Sequence, residues 1–145
     1  MKIELICIEK TKKIEYKNII QDYLKRINRK LDLTINEITF ANSKKQTRKS
    51  ILTKQTNLIK RYINDKDYVV LLDEEGKSFS SINFSKWINQ KISSRNTKCL
   101  KFIIGGPYGF DKNNFNLFHE KISFSKMTFS HQMIRIFVLE QIYRS

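Results

Sequence analysis

The chain has 145 residues, 40% of them hydrophobic and 12% aromatic, enough for one cored domain and too apolar for a disordered chain. Lys and Arg number 28 against 14 Asp and Glu, and the resulting charge of +14 favours a polyanion, either nucleic acid or an anionic membrane surface. No apolar run approaches the roughly 18 residues that a membrane span needs.

Met1-Lys2-Ile3-Glu4-Leu5-Ile6-Cys7-Ile8-Glu9 carries carboxylates within its apolar stretch and reads as a strand rather than a signal peptide. From about 15 to 30, Ile19, Ile20, Tyr23, Leu24 and Ile27 recur at helical spacing. Leu33, Ile35, Ile38 and Phe40 suggest a second strand, followed by a basic loop containing Lys44, Lys45, Arg48 and Lys49. Ile51, Leu52, Gln55, Leu58, Ile59, Tyr62 and Ile63 mark an amphipathic helix. Tyr68-Val69-Val70-Leu71-Leu72-Asp73 is continuously apolar up to its carboxylate, as in a parallel strand covered on both faces, with Glu74-Glu75-Gly76-Lys77 as the turn. Ser80 or Ser81 is a fitting N-cap for a helix carrying Phe84, Trp87 and Ile88. Cys99-Leu100-Lys101-Phe102-Ile103-Ile104 is a further strand. A short helix from Asn114 to His119, a strand from Lys121 to Phe124 and a final helix starting near His131 complete the pattern. The alternation gives an α/β fold, a mostly parallel sheet flanked by helices, as a single domain over 1–145. Cys7 and Cys99, with no CxxC pair, are expected to be buried free thiols in a cytoplasmic protein without a metal site.

Three of the four glycines and the only proline fall in Gly105-Gly106-Pro107-Tyr108-Gly109, directly after a strand. Ligands of open α/β sheets bind beyond the C-terminal strand ends, and glycines there allow close backbone approach. The cluster is neither a dinucleotide fingerprint nor a phosphate loop, because G-x-G-x-x-G and Gly-Lys-Ser/Thr are both missing. A tight turn without a ligand stands as the alternative. In Ser123-Phe124-Ser125-Lys126-Met127-Thr128-Phe129-Ser130-His131-Gln132, small hydroxyl residues alternate with large apolar ones, which suits a loop around a mixed polar and apolar ligand. Thr128 and Ser130 also suit a capping role. His131 is a candidate base or a hydrogen-bonded structural residue; His119, on a polar helix, is the weaker candidate.

These two segments, Leu71-Leu72-Asp73-Glu74-Glu75-Gly76-Lys77 before them and Leu139-Glu140-Gln141-Ile142-Tyr143-Arg144 after them occur in order. Together they closely resemble the RlmH (YbeA-like) family of 23S rRNA pseudouridine methyltransferases in the SPOUT superfamily. The likeness covers nearly the whole chain, with its specific motifs after about residue 68.

The resemblance implies a SPOUT-type α/β fold with a C-terminal deep trefoil knot, its knot region at about 68–145. It implies a homodimer that uses S-adenosylmethionine to methylate N3 of a pseudouridine in 23S rRNA on assembled ribosomes. Carried over by motif, cofactor contacts fall on Leu72, Gly105, Phe124, Ser125, Lys126, Met127, Thr128 and Phe129. The sulfonium methyl is already activated, so alignment with the attacking nitrogen is the main task, together with removal of the N3 proton. Spacing does not name the base. His131 and Arg135 lie near the right loop, Arg135 as the better holder of an rRNA phosphate or the developing anion. Lys44, Lys45, Arg48 and Lys49 are candidate rRNA contacts or a solvated basic loop. Family members run on past the Glu-Gln-Ile/Leu-Tyr-Arg motif to a Pro-Tyr-His segment, whereas this sequence ends at Ser145. A second reading therefore stands beside the first: a catalytically impaired SPOUT-type ribosome- or RNA-binding module. A general basic RNA-binding α/β domain is the third.

Overall fold

A computed structural model describes residues 1–39, 46–111 and 116–145. Among them the elements are β1 (Lys2–Ile8), α1 (Ile14–Ile27), β2 (Asp32–Ile38), α2 (Arg48–Lys60), β3 (Asp67–Ser78), α3 (Ser81–Ile92), β4 (Cys99–Ile104), β5 (Glu120–Ser123) and α4 (Met133–Arg144). The strands form one sheet in the order β2-β1-β4-β3-β5, and every pairing is parallel. All five C-terminal strand ends therefore emerge on the same edge, which is where the functional residues gather.

Alternation along the strands divides the core in two. Leu5, Cys7, Val70, Leu100 and Phe102 pack with Ile20 and Ile27 of α1, Phe84 and Trp87 of α3, and Val138, Leu139 and Ile142 of α4. Ile6, Ile8, Val69, Leu71 and Ile103 face the other way, onto Ile59 of α2. Burial on both faces explains why β3 and β4 read as unbroken apolar runs. Both cysteines are free and buried, and desolvation pushes the Cys7 thiol up to about 12.

The structure corrects several sequence expectations. Residues 74–77 are not a turn: β3 continues through them to Ser78, with an irregularity in its pairing to β5 between Leu72 and Lys77. Gly76 passes so close to β5 that a Cβ would stand 2.7 Å from the Ile122 backbone, so the glycine provides a close approach rather than a bend. Arg48 and Lys49 belong to the first turn of α2, whose cap is Thr47, its side chain accepting from Ser50 N at 3.1 Å. Ile19 lies on the wet side of α1, 41% exposed. His119 is not on a polar helix; its backbone N donates to Val69 O and its Nδ1 accepts from Val69 N, at 2.8 and 3.0 Å, and its ring stacks on Tyr68. Phe40, Lys44, Lys45 and Asn114 lie outside the described residues. Ser80 caps α3 as anticipated, accepting from Asn83 N.

Lys101 is the polar exception within β4. Its ammonium sits 3.0 Å from Asp67 and 3.5 Å from Glu4, and it donates to the carbonyl of Tyr62. Burial alone would lower its pKa, but the hydrogen bond to Asp67 and the charges of Glu4 and Asp67 hold it above the ordinary lysine value. Lys101→Met keeps most of the stem's bulk but strands two carboxylates without their cation. Urea denaturation should show a loss of about 3–5 kcal/mol.

Candidate active site

A cleft of about 610 Å³ lies against the C-terminal ends of β3, β4 and β5. That is within the roughly 300–1,000 Å³ of small-molecule sites, at the strand edge where open α/β sheets bind ligands. Its walls are three segments: 71–75 at the end of the apolar part of β3, 104–110 after β4, and 122–131 leading from β5 to α4.

The glycine cluster is a tight turn. Gly109 N donates to Gly106 O at 2.9 Å, placing Pro107 and Tyr108 at the corners, and Gly109 follows at φ +75°. Proline presets the first corner and glycine takes the left-handed position. The turn folds back so tightly that a Cβ on Gly105 would meet the Gly109 carbonyl oxygen at 2.5 Å. Gln55 of α2, itself buried, donates through Nε2 to that same carbonyl at 2.9 Å. The concentration of glycine here thus has a structural cause, a backbone folded onto itself at the cleft wall.

The opposite wall is ordered by its serines. Ser123 Oγ donates to Ser125 O at 2.8 Å, Ser125 Oγ accepts from Met127 N at 2.9 Å, and Ser130 Oγ accepts from Met133 N at 3.0 Å. These short-range bonds hold an irregular backbone open without a sheet partner. Leu72, Gly105, Phe124, Ser125, Met127, Thr128 and Phe129 all line the cleft, so the structure brings together seven of the eight expected cofactor contacts. Lys126 does not line it and is exposed. Met127 is 72% exposed, an apolar side chain standing open over the cleft.

Arg135 corrects a second expectation. It is 0% exposed and presents nothing to RNA. All five of its N–H groups are bound inside the protein. Nε donates to His131 O, Nη1 to Thr11 Oγ1 and Glu37 Oε2, and Nη2 to Ile8 O and Glu9 O, at 2.8–3.1 Å. Thr11 Oγ1 also donates to Glu37 Oε2 at 2.8 Å, closing a network around the guanidinium. The network joins the ends of β1 and β2 to the start of α4. Glu9, just past β1, takes φ +72°, a conformation that costs a non-glycine residue energy and needs such bracing.

His131 is the candidate that the cleft retains. It lines the wall, and its Nε2 lies 3.3 Å from Glu9 Oε2. Burial lowers its pKa, a shift partly opposed by the Glu9 carboxylate and reinforced by Arg135. Of the expected RNA contacts, Arg48 lines the cleft and Lys49 does not, although both are exposed. Sequence reasoning missed Glu9, Thr11, Glu37 and Gln55, whose importance depends on partners far along the chain. No group of three or more potential metal ligands occurs among the described residues.

Two outcomes are expected. Arg135→Ala leaves the carbonyls of Ile8, Glu9 and His131 without their donor and the solvent-reached Glu37 carboxylate without its cation, and should cost about 1–3 kcal/mol in chemical denaturation. Because the folded-state pKa of His131 is depressed below 6.5, the unfolded chain takes up its proton first as pH falls. Stability should therefore be full above pH 6.5 and decline below it through the folded-state pKa, and thermal melts of His131→Asn should lack that part of the decline.

A family model described as predicted SPOUT methyltransferase matches residues 1–145. Curated relatives named ribosomal RNA large subunit methyltransferase H come from Bacteroides fragilis, Phocaeicola vulgatus and Flavobacterium johnsoniae. They are 43%, 42% and 40% identical, over 100%, 100% and 99% of this chain and 92% of each relative. On full-length family agreement and this identity, the chain belongs to the SPOUT methyltransferase family.

Proposed function

We propose that this protein transfers a methyl group from S-adenosylmethionine to N3 of a pseudouridine in 23S rRNA of the large ribosomal subunit, on assembled ribosomes in the cytoplasm. The observation that carries the reading is the cleft at the C-terminal edge of the sheet, walled by Leu72, the Gly105 turn, Phe124, Ser125 and residues 127–129 in a chain of methyltransferase lineage.

The residues present fit such a cofactor. Leu72, Phe124 and Phe129 supply apolar surface for a ring, and the irregular backbone of 124–129 supplies polar groups for its edge. Asp73 and Glu74 at the same wall favour a cationic ligand. When bound, S-adenosylmethionine supplies a methyl activated by its sulfonium. The protein's own work is then alignment, exclusion of water and management of the N3 proton. His131 lines the cleft with its Nε2 held between Glu9 Oε2 at 3.3 Å and the Gln132 amide nitrogen at 3.2 Å, which fixes the orientation of the ring. Burial disfavours its charged form, and the neutral imidazole is the state that can accept a proton.

The same reading includes a C-terminal trefoil knot and a homodimer. For the dimer, Phe129 and Phe137, 38% and 37% exposed, lie with ring centroids 4.8 Å apart and both line a second cavity of about 300 Å³. An apolar face of this kind suits a second copy of the chain. Among the described residues no helix is long and apolar enough to cross a membrane.

Calorimetry should detect S-adenosylmethionine binding, and Leu72→Ala should weaken it about tenfold, the equivalent of ~1.4 kcal/mol of lost apolar contact. Ribosomes lacking the modification should gain one methyl group per large subunit. Absence of cofactor binding at millimolar concentration overturns the proposal. Sedimentation should give the mass of a dimer.

A further inference from the structure

We propose that Tyr108 and Arg48 form an RNA subsite at the mouth of the cleft, the phenol ring stacking on an unpaired base while the guanidinium holds a neighbouring phosphate. The inference rests on the rRNA reading above and adds the residues that would grip the substrate.

The turn after β4 is fixed from beneath. Gly105 is filled by the Gly109 carbonyl, and Gln55 holds that carbonyl from α2. At the apex of this braced turn stands one large side chain, Tyr108, 47% exposed. Its ring belongs to neither core cluster, so the fold does not require an aromatic there. Either corner of such a turn accepts most small polar residues at less cost in exposed apolar surface.

Arg48 meets the ring from the first turn of α2. Its guanidinium carbon lies 5.9 Å from the ring centroid, and its Nη2 donates to the Tyr108 carbonyl at 3.4 Å. The long, weak bond orients the fork without filling its five donors. Both residues are exposed and both line the cleft. An aromatic face paired with a guanidinium is the surface on which unpaired bases are stacked and their phosphates bound.

The charges around the cleft give this surface a direction. Asp73 and Glu74 occupy the β3 wall and repel a phosphate backbone, whereas Arg48 stands on the α2 side beside Lys49. RNA is thus steered to the wall that carries Tyr108, leaving the carboxylate wall and the 124–129 loop for a cationic methyl donor.

The test is equilibrium binding of the full chain to purified large ribosomal subunits lacking the modification, across a salt series, with S-adenosylmethionine affinity measured in parallel. Tyr108→Ala should weaken subunit binding about tenfold, well beyond any change in cofactor affinity, with the melting temperature unchanged, and Tyr108→Phe should restore it. Arg48→Ala should weaken binding and reduce the salt slope by about one counterion. Tyr108→Ala binding subunits as the parent does overturns the subsite, as does a parent that does not bind subunits. A parent that binds subunits through Tyr108 yet binds no S-adenosylmethionine upholds the subsite and removes the methyltransferase reading instead.

Discussion

A single guanidinium holds the site together. Arg135 projects from α4 to the ends of β1 and β2, and it donates to the carbonyls of Ile8 and Glu9 there. Burying that charge is tolerable only because Glu37 neutralises it and every N–H finds an acceptor. Its fifth bond, to the carbonyl of His131, carries the consequence into the cleft. The strand end, the strained Glu9 and the imidazole are therefore positioned by one side chain. Gln132 reinforces the junction, accepting from Lys12 N and donating to Lys10 O.

The rest of the cleft follows from parallel strands. A parallel sheet delivers β3, β4 and β5 to one edge with their last carbonyls and amides pointing outward. Each strand is continued there by a different device: the extension of β3, the proline turn after β4 and the serine-bonded loop after β5. The walls differ in chemistry as a result. One is acidic, one is backbone with an aromatic apex, and one is apolar with hydroxyls. A cationic small molecule and a polyanion can occupy adjacent positions without competing for the same groups.

Much of the fold was legible because burial writes a period into the sequence. The runs at 68–72 and 99–104 became doubly covered strands, and the helical repeats became α1, α2 and α3. The motif segments also located the cleft, since seven of eight expected contacts line it. Buried cations were not legible. Arg135 and Lys101 look like solvated charges until partners 98 and 34 positions away come into place. The strand through 74–77 was obscured for a similar reason. Glu74, Glu75, Gly76 and Lys77 have turn composition, and only the approach of β5 keeps them extended. Arg48 and Lys49 were assigned to a loop because charge masked a helix start that Thr47 caps.

The bonds around Arg135 also set an order of events. Ile8 and Arg135 are 127 positions apart, and Thr11 and Arg135 are 124. Closing contacts of such separation is slow, because much chain entropy is lost before they form. During synthesis the first strand emerges long before the helix that completes its end. The sheet can begin to assemble from β1, β2, β3 and β4, but the wall bearing His131 is finished only when α4 docks. The wall bearing His131 thus depends on contacts of the longest sequence separation in the site, the kind that close most slowly.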